Sequence, residues 1–185
     1  MTAYISAQEL FTGSSWISEV VIEIADGKII AIKKEGYDHK NAFPLVVPAL
    51  IDLQIYGAGG KLLSESPEAS TIQLIYDYCV AGGAAYFQPT IASQSNEIIM
   101  AAIKAVKDYK SSGGKGCMGL HIEGPWINPI KKGAHNEAVI HSPTMEEVKA
   151  IIDYGADDIG MITVAPEVCS KEIIDFIQSK GIVVS

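Results

Sequence analysis

The chain has 185 residues, with 22 acidic side chains against 14 basic ones and a formal net charge of −8. A surface of that sign repels nucleic acid and anionic lipid, and no apolar block reaches the ~18 residues of a membrane span, so neither partner is expected. Cys79, Cys117 and Cys169 lie far apart without a CxxC pair, which excludes a zinc knuckle or a disulfide frame and leaves buried or half-buried thiols.

At the N-terminus no basic segment runs into an apolar one as in a secretory signal, and the chain reads as intracellular. Residues 1 to 47 carry short β-type runs: Ala3 to Ile5, Glu19 to Ile24, Lys28 to Ile32 and Leu45 to Val47. Asp26-Gly27 predicts a hairpin between two of them, because both residue types tolerate positive φ. Lys33 to Lys40 is polar and reads as a surface loop. This stretch is a small β module.

From Pro48 the rhythm becomes strand, loop, helix. Ala49 to Ile55 is a β-type run; Ser66-Pro67-Glu68 then reads as an N-cap, first-turn proline and dipole-matched acid for a helix with Ile72, Ile75, Tyr76 and Cys79 on one face. Gly82-Gly83 ends it, and Ala84 to Ile91 is the next strand. Ser95 opens a second helix through about Tyr109, which Gly113-Gly114 closes. Cys117 to Ile122 is the third strand, followed by an irregular stretch from Glu123 to His141 whose length marks a functional loop. Ser142-Pro143 with Glu146 and Glu147 caps a third helix; Asp158 to Val164, Lys171 to Lys180 and Ile182 to Val184 complete the series as strand, helix and strand.

Alternating β and α units imply a parallel sheet with helices outside it. No GxGxxG follows the first strand, and GAGGK at Gly57 to Lys61 lacks P-loop spacing, so a nucleotide-binding sheet loses ground to part of a (β/α)8 barrel. A whole barrel needs ~250 residues, and residues 48 to 185 supply about five of its eight strands. The sequence stops at Ser185 just after an apolar β run, where a strand edge would stay open; a longer protein is expected.

In a barrel the chemistry gathers at the C-terminal strand ends, which here carry Asp52, Gln54, Gln88, Thr90, His121, Glu123 and Thr163. His121 and Glu123 are two apart and share a strand face. In so apolar a run an inward carboxylate must be paired, protonated or metal-bound, since burying it alone is very costly. The residues leave open whether Glu123 serves a metal or a buried polar pair. A zinc deaminase would need a PCxxC after the HxE, and none follows.

The stretch Gly119 to Asn136, GLHIEGPWINPIKKGAHN, closely resembles the GLHLEGP segment and KKGAHN loop of N-acetylglucosamine-6-phosphate deacetylases, members of the amidohydrolase superfamily. Pro48 to Gly60, PALIDLQIYGAGG, is similar to the family's first-strand segment, Pro89-Thr90 to its second-strand PT, and Ala165-Pro166-Glu167 to its fourth-strand APE. The resemblance spans the whole chain as the N-terminal portion of such an enzyme. It implies an α/β fold: a partial (β/α)8 TIM-type barrel over 48 to 185, preceded by a small β-sandwich module over 1 to 47. It implies a cytoplasmic hydrolase acting on a phosphorylated amino sugar, homodimeric at full length, with one divalent metal ion, zinc or similar.

Carried over by position, Glu123 matches the metal-binding carboxylate, and Ala134 and His135 the loop positions that contact the sugar. Gln54 and Tyr56 fall where many amidohydrolases place an HxH pair; neither is histidine, which points to one metal rather than two, and Tyr56 is left without an account. Gln54 and His121 are candidate supporting residues, with His121 read as a core or supporting histidine rather than a ligand. The family's two further histidine ligands and its catalytic aspartate would lie beyond Ser185, so this chain alone is expected to be inactive. The rivals are another amidohydrolase, of deaminase or cyclic amidase type, and a non-catalytic half-barrel that needs a partner chain. Lys131-Lys132 reads equally as an aid to phosphate capture or a solvated pair, His39 and His141 receive no role, and Trp126 reads as packing its loop down.

Overall fold

The structure, a computed structural model, describes residues 1–185, the side chain of Ala156 excepted. They form two units, Met1–Ala49 and Leu50–Ser185. In the first, β1 (Thr2–Phe11) pairs antiparallel with β2 (Trp16–Ala25), and β2 with β3 (Lys28–Lys33). Asp26 and Gly27 join the latter pair with φ of 50° and 75°, the geometry a two-residue primed turn demands. β4 (Phe43–Val46) adds parallel to β1. Cross-strand pairs Ile5–Ile22, Ala7–Val20 and Leu10–Ile17 build the unit's apolar cluster. Against the expected β-sandwich module, the unit shows one four-stranded sheet of order β3-β2-β1-β4.

The second unit is α/β. Its five-stranded parallel sheet has the order β11-β10-β9-β8-β5, built from β5 (Leu50–Ile55), β8 (Ala84–Ala92), β9 (Leu120–Glu123), β10 (Ile159–Thr163) and β11 (Val183–Val184). The glycines after Tyr56 form a small hairpin, β6 (Gly57–Ala58) with β7 (Lys61–Leu62). The helices are α1 (Ala69–Ala81), α2 (Asn96–Ser111), α3 (Met145–Gly155) and α4 (Lys171–Ser179). None is long and apolar enough to cross a membrane. Phe87 lies between the rings of Tyr76 and Tyr109, at 6.1 and 6.4 Å, so the odd positions of β8 face α1 and α2. By strand alternation Gln88 and Thr90 face the other way, and Thr90 lies in register with His121.

Three boundaries differ from expectation. α1 starts after Glu68, whose carbonyl accepts the first helical N–H groups; Ser66 and Pro67 belong to the preceding turn. α3 is capped by Thr144, whose Oγ1 accepts from Glu147 N at 3.2 Å, rather than by Ser142. The third strand begins at Leu120, not Cys117. Gly119 has φ of +103°, and a Cβ there would fall 2.6 Å from Gly160 N, so the chain kinks where two backbones nearly touch. Cys117 keeps only an isolated bridge to Phe87.

Candidate active site

Gln54 and Tyr56 are two apart at the end of β5, and both reach across to Glu123 at the end of β9. Gln54 Nε2 donates to Glu123 Oε1 at 2.9 Å and to the Tyr56 hydroxyl at 2.5 Å. The Tyr56 hydroxyl in turn donates to Glu123 Oε2 in a short bond. The proton count closes: both amide hydrogens and the phenol hydrogen are used, and only the nitrogen of the amide can face a carboxylate. Burial first, and then this bond to Glu123, raise the Tyr56 pKa above its ordinary value.

His121 is buried beneath this group. Its Nδ1 lies 3.1 Å from the Leu53 carbonyl, which can only accept, so Nδ1 carries the proton and Nε2 accepts from Thr163 Oγ1 at 2.8 Å. Burial lowers its pKa, against the opposing pull of the Leu53 carbonyl and Glu123. With both nitrogens engaged, the ring braces β5, β9 and β10. Thr90 braces from the next strand: its hydroxyl accepts from Ile55 N at 3.1 Å where the β5–β8 ladder slips register.

His135 arrives on the loop after β9. Its Nδ1 receives Ser93 N at 3.2 Å and lies 2.8 Å from Ser93 Oγ. A backbone N–H only donates, so neutral His135 carries its proton on Nε2, which sits 3.7 Å from Glu123 Oε2. Gly124 permits this approach: a Cβ there would fall 2.3 Å from Ser93 Oγ, and its φ is +78°. The loop itself is two Asn-capped turns, with Asn128 Oδ1 accepting from Ile130 N and Asn136 Oδ1 from Ala138 N. Trp126 is fully buried beneath it.

A cavity of about 330 Å³ opens here, lined among others by Glu123, His135, Lys131, Lys132, Thr163 and Glu167. Glu167 accepts from Asn128 Nδ2 at 2.8 Å, and that bond first, with Lys131 adding its charge, holds its carboxyl below the usual range. Ala134 is exposed and Asp52 turns to its own strand, accepting from Gln54 N at 3.0 Å. The structure thus brings Gln54, Glu123 and His135 together and sets His121 one layer below. Sequence reasoning missed Ser93 and gave Tyr56 no role. Ser93 stands just past the end of β8, where the strand-end rule should have caught it.

The implied metal meets a poor donor set in this chain. Both Glu123 oxygens accept hydrogen bonds, the nearby nitrogen of His135 carries a proton, and both His121 nitrogens are engaged. Among the described residues no group of three His, Cys, Asp or Glu side chains is placed to hold an ion. A catalytic zinc takes three protein ligands, so these residues alone do not fit one.

No family model matches the chain. It is 32% identical over 136 residues to the N-acetylglucosamine-6-phosphate deacetylase of Haemophilus influenzae, covering 73% of this chain and 35% of that enzyme. It is 28% identical over 187 residues to the N-acetylgalactosamine-6-phosphate deacetylase of Shewanella, covering 96% of this chain and 47% of that enzyme. The crystal structure of N-acetylglucosamine-6-phosphate deacetylase from Pasteurella multocida superposes with TM-score 0.85 at 25% identity, over 100% of this chain and 50% of that one. The chain therefore spans at most about half the length of the curated relatives it matches. In sequence and in fold, it is a homologue of the N-acetylglucosamine-6-phosphate deacetylase family of amide hydrolases, matching the N-terminal portion of its members.

Proposed function

We propose that this chain is part of an enzyme that hydrolyses the N-acetyl amide of N-acetylglucosamine 6-phosphate, releasing glucosamine 6-phosphate and acetate. The supporting observation is the cavity in which Glu123, His135, Lys131 and Lys132 converge at the strand ends of a chain homologous to such deacetylases. In this reading the five-stranded sheet is part of a (β/α)8 barrel and the N-terminal sheet one layer of a β-sandwich. Glu123 is one ligand of a single divalent ion, zinc or similar, whose other ligands lie outside this chain, as does the catalytic aspartate. His135 offers its Nε2–H to the substrate beside Ala134, while Gln54 and His121 support the site. The two lysines attract the phosphate, and the full-length enzyme is cytoplasmic and homodimeric.

A second substrate has a specific observation in its favour: the Shewanella relative, which acts on N-acetylgalactosamine 6-phosphate by its name, aligns over 96% of this chain. The two sugars differ only at the 4-hydroxyl. An NMR titration of the chain with each sugar phosphate tests both readings. Weak, millimolar binding should shift the resonances of Gln54, Glu123 and residues 131 to 135, and Lys132→Ala should weaken it; no shift with either sugar would overturn the assignment. Added zinc is expected to give no turnover, because the chain brings one carboxylate where three ligands are needed.

A further inference from the structure

Glu123 sits in a closed ring of three hydrogen bonds: Gln54 to Oε1, Tyr56 to Oε2, and Gln54 to the Tyr56 hydroxyl. Gln54 alone would leave Oε2 open toward the cavity. The phenol fills that place, and on its other side His135 Nε2 lies 3.7 Å away, itself a donor. Hydrogen bonds to an ionised acceptor are the strong ones, and this phenol has its single proton committed to the carboxylate. Oε2 has two lone pairs; the phenol takes one, and the Nε2–H of His135 stands on the side of the other, so an incoming cation finds neither clear. The donor set around Glu123 is therefore arranged to hold a bare carboxylate in place, and it opposes an ion there.

We propose that Tyr56 is a specificity-determining residue of this site: its phenol blocks Oε2 of Glu123, so that a divalent cation reaches that oxygen only by displacing it. This rests on the reading of Glu123 as the ion-binding carboxylate. Tyr56 is 36% exposed at the strand ends, and its hydroxyl is held by Gln54 and Glu123. Phenylalanine keeps the ring and removes the proton, and leaves Gln54 bonded to Oε1.

The test is Mn²⁺ binding to the 185-residue chain, followed by loss of the free-ion EPR signal, for wild type, Tyr56→Phe, Glu123→Gln and the double variant. Circular dichroism checks that each is folded. Tyr56→Phe should bind about tenfold tighter than wild type, the scale of one charge-assisted hydrogen bond, and the double variant should lose that gain. Equal affinity of wild type and Tyr56→Phe, including no binding by either, refutes the role of Tyr56. If instead the double variant binds as tightly as Tyr56→Phe does, the ion-binding reading of Glu123 fails and takes this one with it.

Discussion

At the residue scale, Gly124 and His141 each hold a contact whose loss is measurable. Gly124 holds the end of β9 against Ser93, so Gly124→Ala forces a Cβ to 2.3 Å from Ser93 Oγ at a φ of +78°. Strain and overlap together should cost about 2 kcal/mol, a fall in Tm of about 4–8 °C by scanning calorimetry. His141 lies outside the site: its Nδ1 faces the Val139 carbonyl at 2.8 Å and its Nε2 both oxygens of Glu147 at 2.9 and 3.0 Å. Both nitrogens face acceptors, so the imidazolium fits best. Burial pulls the pKa down, but the Val139 carbonyl and Glu147 outweigh it and the net shift is upward. A raised folded pKa adds stability that is full below the ordinary value near 6.5 and fades as pH rises through the folded value. With the side chain 46% exposed, solvent screening keeps this small. Wild type should exceed His141→Gln in Tm by about 1–3 °C at acidic pH and by less at alkaline pH. An equal gap at both would show that the pair is not charged.

At the scale of elements, the strands and helices of the second unit follow the order the sequence predicts, because apolar periodicity and Gly or Pro punctuation are local signals. Helix starts were less legible. Ser66 and Ser142 look like caps, yet each stands two residues before the residue that takes the role, and both precede a proline. The residue before a proline is pushed from helical to extended backbone, so a turn is inserted before the helix begins. Thr144→Ala should therefore destabilise the protein by about 1 kcal/mol in chemical denaturation, and Ser142→Ala by much less. A larger loss at Ser142 would put the cap back where the sequence alone suggested it.

At the scale of the whole molecule, β5 is an edge of the five-stranded sheet and carries exposed apolar side chains, Ile51 at 50% and Leu53 at 48% among them. Leu50 to Gln54, with Tyr78, Cys79, Gly82 and Ala84, line a cavity of about 510 Å³ there. An open apolar strand edge is adhesive. Concentration-dependent light scattering should accordingly be lower for Ile51→Lys than for wild type, and unchanged scattering would mean that this edge is not where chains meet. The sequence by itself determined the α/β alternation, the hairpin at Asp26-Gly27 and the residue types of the loop after β9, all properties of neighbours along the chain. Only the tertiary structure decided that the N-terminal strands form a single sheet. It alone brought Gln54 to Glu123 across 69 positions and Ser93 to His135 across 42. Those contacts depend on strand order, on a register slip between β5 and β8 and on the glycine that lets β9 approach Ser93, and none of these leaves a periodic trace in the residues themselves.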